Sequence, residues 1–266
     1  MNPLNFRKTS LGTRAIKIVA YNEWKAFKQN KGLLLSMGME PLMSYGLLVL
    51  ALSTNFSVVK IMGLTVSYRQ YALTGVLTFF MTTQMSQAMY RATVDKEYGL
   101  LALKFLNGVQ PWCYLVGMNC FPLLGLIFQA VILLFLGAIT GGIYNLSWLL
   151  LSLLVVVISL GFWTSLGILL STRISTYEKR DVIMTLVFTP VSFATPALYV
   201  FSDKLPWLVK FLVVINPLTY QLRAIRTVAF GKFELVLLLV AAFLTLGMMA
   251  LTNGVLKRMP LKFSEH

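Results

Sequence analysis

From Phe105 to Thr172 the chain reads FLNGVQPWCYLVGMNCFPLLGLIFQAVILLFLGAITGGIYNLSWLLLSLLVVVISLGFWTSLGILLST, without one Asp, Glu, Lys or Arg. No soluble core helix needs so long an uncharged run, whereas two membrane crossings of about 20 residues each use most of it. Pro111 to Ile139 and Leu146 to Leu170 read as two spans, and Gly141, Gly142 and Asn145 supply the tight turn between them. The solvent for this stretch is a bilayer.

The rest of the chain agrees. Charged residues make up 12% and hydrophobic residues 58% of the sequence, against about a quarter charged in a soluble domain. Further apolar runs cover 32–52, 71–90, 182–201 and 235–256, the fifth interrupted by Pro190 and Pro196. The expected fold is therefore an all-α membrane protein with six spans over 32–256, a cytoplasmic segment 1–31 before them and a short tail 257–266. Leu205 to Ile215 is apolar but only about half a span long, with Lys210 in its middle. Residues 203–232 accordingly read as a re-entrant or interfacial helical hairpin outside.

Ahead of the spans, the stretch from Arg14 reads as an amphipathic helix. Ile16, Val19, Ala20, Trp24 and Phe27 share one sector at 100° per residue, with Lys17, Lys25 and Lys28 beside it. That pattern suits a helix lying in the membrane interface, in contact with lipid. Glu23 falls on the apolar side, so either the helix lifts there or Glu23 meets a partner.

A net charge of +14 would suggest nucleic acid in a soluble protein, but no basic patch lies on a segment polar enough to form a separate domain. In a membrane protein the excess is a topology signal. With the N-terminus inside, sixteen of the 23 Lys and Arg residues fall in cytoplasmic segments, which favours both termini in the cytoplasm. Of the remainder, Lys204, Lys210, Arg223, Arg226 and Lys232 cluster in the hairpin.

Chemistry for an enzyme is missing. The single histidine is His266, so no metal site or histidine-based catalytic group is expected in the membrane. No G-x-S-x-G turn and no pair of intramembrane carboxylates appears. Glu40, beside Pro41, is the one acid inside a span. It reads either as a proton or ligand site or as a carboxyl capped by a neighbouring polar group. Cys113 and Cys120 lie two helical turns apart, too far to bridge, and read as small packing residues. With one acid and no histidine, an ion-driven pump is poorly supplied. No G-x-x-x-x-G-K-[ST] phosphate loop occurs either, so energy for uphill transport would come from a separate nucleotide-hydrolysing subunit.

The expected docking point for such a subunit is the loop between the second and third spans. Arg91, Asp95, Lys96, Glu97, Tyr98 and Gly99 precede Leu100, Leu101, Leu103, Phe105 and Leu106, and Asn107-Gly108 and Pro111 close the segment. This is a short amphipathic helix, either a knob for a partner's groove or an ordinary interfacial loop helix. On the second span Thr74, Thr78, Thr82 and Ser86 recur every four residues and form one stripe. Such stripes either pack helices together or line a route for substrate.

Four stretches together resemble a known family. Ile215-Asn216-Pro217-Leu218-Thr219-Tyr220, followed by Leu222, Ala224 and Arg226, is similar to the N-P-[LV]-[TS]-Y-x-[VL]-x-[AG]-[LI]-R signature of ATP-binding-cassette type-2 exporter permeases. Lys96-Glu97-Tyr98-Gly99-Leu100-Leu101 resembles their [RK]-E-x-G-T-L stretch, Glu40-Pro41 their [EQ]-P, and Leu205-Pro206-Trp207-Leu208 their L-P-x-W-L. Two departures stand out: Pro196-Ala197 and Phe201 replace the usual S-G-x-x-x-P, and Ala102 replaces an acid.

The resemblance implies a permease in a prokaryotic cytoplasmic membrane. It would work as a homo- or heterodimer and export a small amphipathic molecule, lipid or glycan. ATP and Mg would be bound by a separate ATPase subunit and no cofactor by this chain. It implies ATPase coupling through Asp95, Lys96, Glu97, Tyr98, Gly99, Leu100 and Leu101, with Glu23, Trp24 and Phe27 in the interfacial helix. It further implies a translocation path near Thr74, Thr78, Thr82, Ser86 and Glu40, and an outer hairpin built on Asn216, Pro217, Tyr220, Arg223 and Arg226. The two arginines would attract an anionic head group or snorkel. A passive channel, a secondary transporter and a membrane scaffold subunit are the competing classes.

Overall fold

The computed structural model describes residues 11–174, 177–202 and 204–259. Expectations resting on Arg7, Lys8, Thr176, Asp203, Lys262 or His266 lie outside the described residues.

Helix α1 (Arg14–Gln29) ends at Asn30, whose side chain accepts the Leu33 N–H at 3.2 Å and so starts α2 at once. Helix α2 (Lys31–Leu52) contains Pro41. A proline has no N–H to give to the preceding turn, and the helix widens into a π-type stretch over Leu42–Val49 just after it.

The all-α architecture holds for the chain as a whole, with one short exception after α2. Strands β1 (Val58–Ile61) and β2 (Leu64–Ser67) form an antiparallel hairpin pairing Val58 with Ser67 and Ile61 with Leu64. Met62 (φ 51°) and Gly63 (φ 72°) make its two-residue turn, and positive φ at both positions matches the right-handed twist of the strands. The alternating, β-branched run from Val58 to Val66 around Met-Gly carried that signal in the sequence.

Helix α3 (Tyr68–Glu97) starts on a capping box: the Ser67 hydroxyl accepts the Gln70 N–H at 3.3 Å, and the Gln70 side chain accepts the Ser67 N–H at 3.0 Å. It extends beyond the expected end at Tyr90, because nothing before Gly99 breaks it. At 1.5 Å per residue it is about 45 Å long, more than the hydrocarbon thickness. Arg91, Asp95, Lys96 and Glu97 are thus the last turns of this helix and not part of a loop. Gly99, at φ 68°, reverses the chain into α4 (Leu100–Leu106).

Helix α5 (Pro111–Thr140) breaks at Asn119, ahead of Pro122. The Asn119 amide donates to the Leu115 carbonyl at 2.8 Å, and its oxygen accepts the Thr164 hydroxyl of α6 (Leu146–Ser171). The fifth expected span is also corrected. Helix α7 runs through Tyr177–Ile183, a π-type turn Met184–Phe188 and Thr189–Ala194, then stops. The span expected as far as Phe201 ends there because Pro196 cannot extend a helix. The hairpin is α8 (Trp207–Ile215) and α9 (Pro217–Ala229), bent by 74° at Asn216. Helix α10 (Leu235–Arg258) completes the chain and is pinned to α6 by Thr245 and Thr252, whose hydroxyls lie 3.1 Å from the Ile158 and Ser165 carbonyls.

Among the described residues α2, α5, α6 and α10 are long and apolar enough to cross a membrane, and the bent pair α8–α9 would make a fifth if it were one span. The other two expected spans correspond to α3, rich in threonine and glutamine, and to α7, which opens with Glu178, Lys179, Arg180 and Asp181. Helix α3 is the centre of the main core: Leu73, Val76, Leu77, Phe80, Met81 and Met85 are enclosed by residues of α2, α5, α6 and α9. A second core joins Ala15 and Val19 of α1, Ala88 and Ala92 of α3, Leu101 and Phe105 of α4, Tyr114 of α5 and Leu256 of α10. It sits at the end of the bundle where α3 and α10 finish.

Candidate functional site

Around the second core, the expected coupling residues divide into struts and an outward edge. Asp95 is buried; its carboxylate accepts Lys104 Nζ at 2.5 Å and the Tyr114 hydroxyl at 2.9 Å, which ties α4 and α5 to α3. Lys96 turns inward, and its ammonium donates to the carbonyls of Ser171, Thr172 and Ile174 at 3.2, 3.0 and 2.9 Å. Those carbonyls are orphans at the C-terminus of α6, where the helix dipole also favours a cation. Lys96→Met should therefore lower stability by about 1–3 kcal/mol, read as a fall in thermal midpoint in detergent. An unchanged midpoint would show that water caps α6 equally well.

Leu101 is buried, while Tyr98 (64% exposed), Leu100 and Leu103 (52%) face outward. One Glu97 carboxylate oxygen is enclosed without a hydrogen-bond partner among the described residues. The outward edge is thus Glu97, Tyr98, Leu100 and Leu103. Leu103 stood in the sequence motif but outside the expected coupling set; its three-residue spacing from Leu100 was the signal.

Helix α1 packs on α5 and reaches α3 through Arg91. Of its three expected residues, Glu23 is fully buried and forms a bidentate pair with Arg91 of α3, at 2.9 and 3.0 Å. That resolves its place on the apolar sector: Glu23 has a partner within the chain. Phe27 packs edge-on against Phe121 with centroids 5.3 Å apart, and Arg91 lies over the same ring. Trp24 does not share this inner face. It is exposed with Ile18 and Tyr21, with Lys28 above its ring.

The threonine stripe also divides. Thr74 and Thr78 are sealed in the packing; Thr78 donates to the Thr74 carbonyl at 2.9 Å, and the Thr74 hydroxyl meets Arg226 Nε at 3.1 Å. Thr82 and Ser86 instead line a cleft of about 350 Å³ between α2, α3 and α7, together with Glu40, Ser44, Thr83, Ser192 and the rings of Phe79, Phe80, Phe188 and Phe193. The Thr83 hydroxyl donates to one Glu40 oxygen at 2.6 Å and the Gln129 amide to the other at 2.6 Å. The Gln84 amide in turn donates to the Gln129 oxygen at 2.8 Å.

In the hairpin α8–α9, Asn216 accepts the Leu218 N–H at 2.9 Å and starts α9, with Pro217 at the first helical position. Its amide reaches back to the Val191 carbonyl and the Thr195 hydroxyl, each at 2.7 Å. Tyr220 donates to the Val214 carbonyl at 2.8 Å, closing the bend, and Arg223 is exposed. Arg226 is neither a surface charge nor a snorkelling one: it is 3% exposed. Its guanidinium donates to the Pro196 and Ala197 carbonyls at 2.8 Å each and stacks 3.7 Å over the Tyr71 ring. Tyr68 donates to the Leu198 carbonyl at 2.9 Å, and the Tyr71 hydroxyl reaches the Tyr199 carbonyl at 2.7 Å. The unwound stretch after α7 is held because these side chains replace its missing helical donors.

Cys113 and Cys120 are free thiols, and no cluster of residues able to hold a metal occurs among the described residues.

A comparison of the chain with curated proteins gives no match. A family model described as ABC-2 type transporter matches residues 14–230. That range covers α1, the central helix, the cleft and the hairpin, and stops before α10. The chain belongs to the ABC-2 type transporter family and is a multi-pass membrane subunit for transport, not itself catalytic.

Proposed function

We propose that this chain is the permease half of an exporter, with both termini in the cytoplasm of a prokaryotic cell and six crossings that include α3 and α7. It works as a homo- or heterodimer, and a separate subunit that binds ATP and Mg docks on the outward edge Glu97, Tyr98, Leu100 and Leu103. The observation that carries this reading is the continuity of α3, which runs without a break from the cleft residues Thr82 and Thr83 to Glu97. Fourteen helical residues separate Thr83 from Glu97, a rod of about 21 Å. With α4 fastened by Asp95 and α1 by Glu23, a push on the edge moves the cleft wall instead of bending a loop. Exposed Tyr98, Leu100 and Leu103 beside Glu97 also form an apolar surface that a partner would cover.

The test is co-purification from native membranes. Wild-type chain should retain an ATPase recognisable by its phosphate-loop sequence. Glu97→Arg and Leu103→Asp should each lower the retained ATPase, and transport with it, by about tenfold or more, while the chain stays in the membrane; losses of this size are typical of central interface residues. Lys17→Gln, on the exposed side of α1, should retain it. If both edge variants hold the ATPase at the wild-type level, the docking surface lies elsewhere.

A further inference from the structure

We infer that the cleft between α2, α3 and α7 binds an amphipathic organic cation, and that Glu40 supplies its counter-charge. The inference rests on the exporter reading and names the chemical class that the site would accept. Glu40 is the one acid among the residues lining the cleft, and none of them is basic. Among the described residues it takes part in no ion pair; the pairs present are Glu23–Arg91, Asp95–Lys104 and Asp181–Arg180. A carboxylate in an apolar bundle is costly without compensating charge, and the cleft is the open side from which a bound cation would supply it.

With Glu40 ionised, the neighbouring amides have one consistent arrangement. An ionised Glu40 can only accept, so Gln129 must turn its N–H toward it and its oxygen toward Gln84. The relay therefore runs from Gln84 through Gln129 to Glu40. Its cost falls on the Gln84 oxygen, which is buried and has no partner among the described residues. Gly125 makes room for the relay, since a side chain there would collide with the Gln84 amide.

The rest of the wall selects the ligand's body. Phe79, Phe80, Phe188 and Phe193 present aromatic surface, which attracts a cation by its face and an apolar skeleton by its area. A volume of about 350 Å³ lies at the small-molecule end of the usual range of about 300–1,000 Å³. An anion of the same shape would meet the carboxylate and the ring faces with the wrong sign.

The experiment uses the full chain in nanodiscs of zwitterionic lipid. Tetraphenylphosphonium and tetraphenylborate, alike in shape and opposite in charge, are measured for binding above empty discs. The phosphonium should bind at least about tenfold more tightly than the borate, and Glu40→Gln should remove about tenfold of that affinity at an unchanged thermal midpoint. Gln129→Leu, which leaves the charge but frees the carboxylate, should lose less than Glu40→Gln. Equal or tighter binding of the borate overturns the inference. So does a folded Glu40→Gln protein that binds the phosphonium like wild type, or failure of either ion to bind because a second copy of the chain fills the cleft. Charge-selective binding by a chain that captures no ATPase overturns the exporter reading and leaves the cation site standing. A captured ATPase without charge selectivity does the reverse.

Discussion

Arg226→Ala is expected to destabilise the protein by about 2–5 kcal/mol, with a large fall in thermal midpoint and in the amount recovered from membranes. Arg226 holds the Pro196 and Ala197 carbonyls at 2.8 Å, and both lie in a stretch with no helical partners of its own. Removing the arginine orphans the buried Ala197 carbonyl at about 1–3 kcal/mol, while the Pro196 carbonyl keeps the Tyr71 hydroxyl at 2.9 Å, and loss of the cation stacked on Tyr71 adds about 1–2 kcal/mol. The partners of the guanidinium are neutral, so its removal leaves unpaired dipoles but no unpaired charge. Arg226→Lys should recover only a small part. A single ammonium keeps the charge but cannot span two carbonyls, the Thr74 hydroxyl and the ring at once. Hydrogen exchange supplies a local reading: in the alanine variant, amides between residues 195 and 201 should lose protection before those of α6. A variant as stable and as protected as wild type would show that Tyr68 and Tyr71 hold the stretch without the arginine.

Arg91→Ala should cost about 3–5 kcal/mol, because it leaves the Glu23 carboxylate buried without its bidentate partner. Glu23→Gln should cost less, since Arg91 keeps a route to water and its contact with the Phe121 ring. The double variant Glu23→Ala/Arg91→Ala should be more stable than the sum of the single changes predicts, with a coupling of about 1–3 kcal/mol in a double-mutant cycle. Exchanging the two residues should restore part of the loss. Strict additivity would mean that α1 is held by Val19 and Phe27 alone, and that the pair has no part in bracing the end of α3.

How far each feature could be read from the residues follows from the range of the force that sets it. The spans Pro111 to Ile139, Leu146 to Leu170 and Leu235 to Leu256 are legible because a bilayer demands length and apolarity from each segment separately. The bend at Asn216-Pro217 is legible because a proline acts on its own turn. The β-hairpin was legible in principle from local alternation but is hidden by the apolar helices on either side. The end of α3 was misplaced for a related reason: charges at Arg91, Asp95, Lys96 and Glu97 look like a loop in a membrane protein, yet a helix can carry them past the headgroups.

By itself, the sequence determined a helical membrane protein with a basic amphipathic start, a lone acid in its first apolar run and a proline-broken fifth apolar run. Each of these depends on composition or on neighbours within a few turns. Only the tertiary structure decided which way the charged and polar side chains face. Lys96 caps α6 from 75 positions away, and Arg226 reaches Thr74 across 152 positions instead of facing a head group. The Glu40 carboxylate is aimed by Thr83 and Gln129, 43 and 89 positions along the chain. A charge removed from water takes whatever partners the packing brings within hydrogen-bonding distance, and no local pattern of residues encodes that distance.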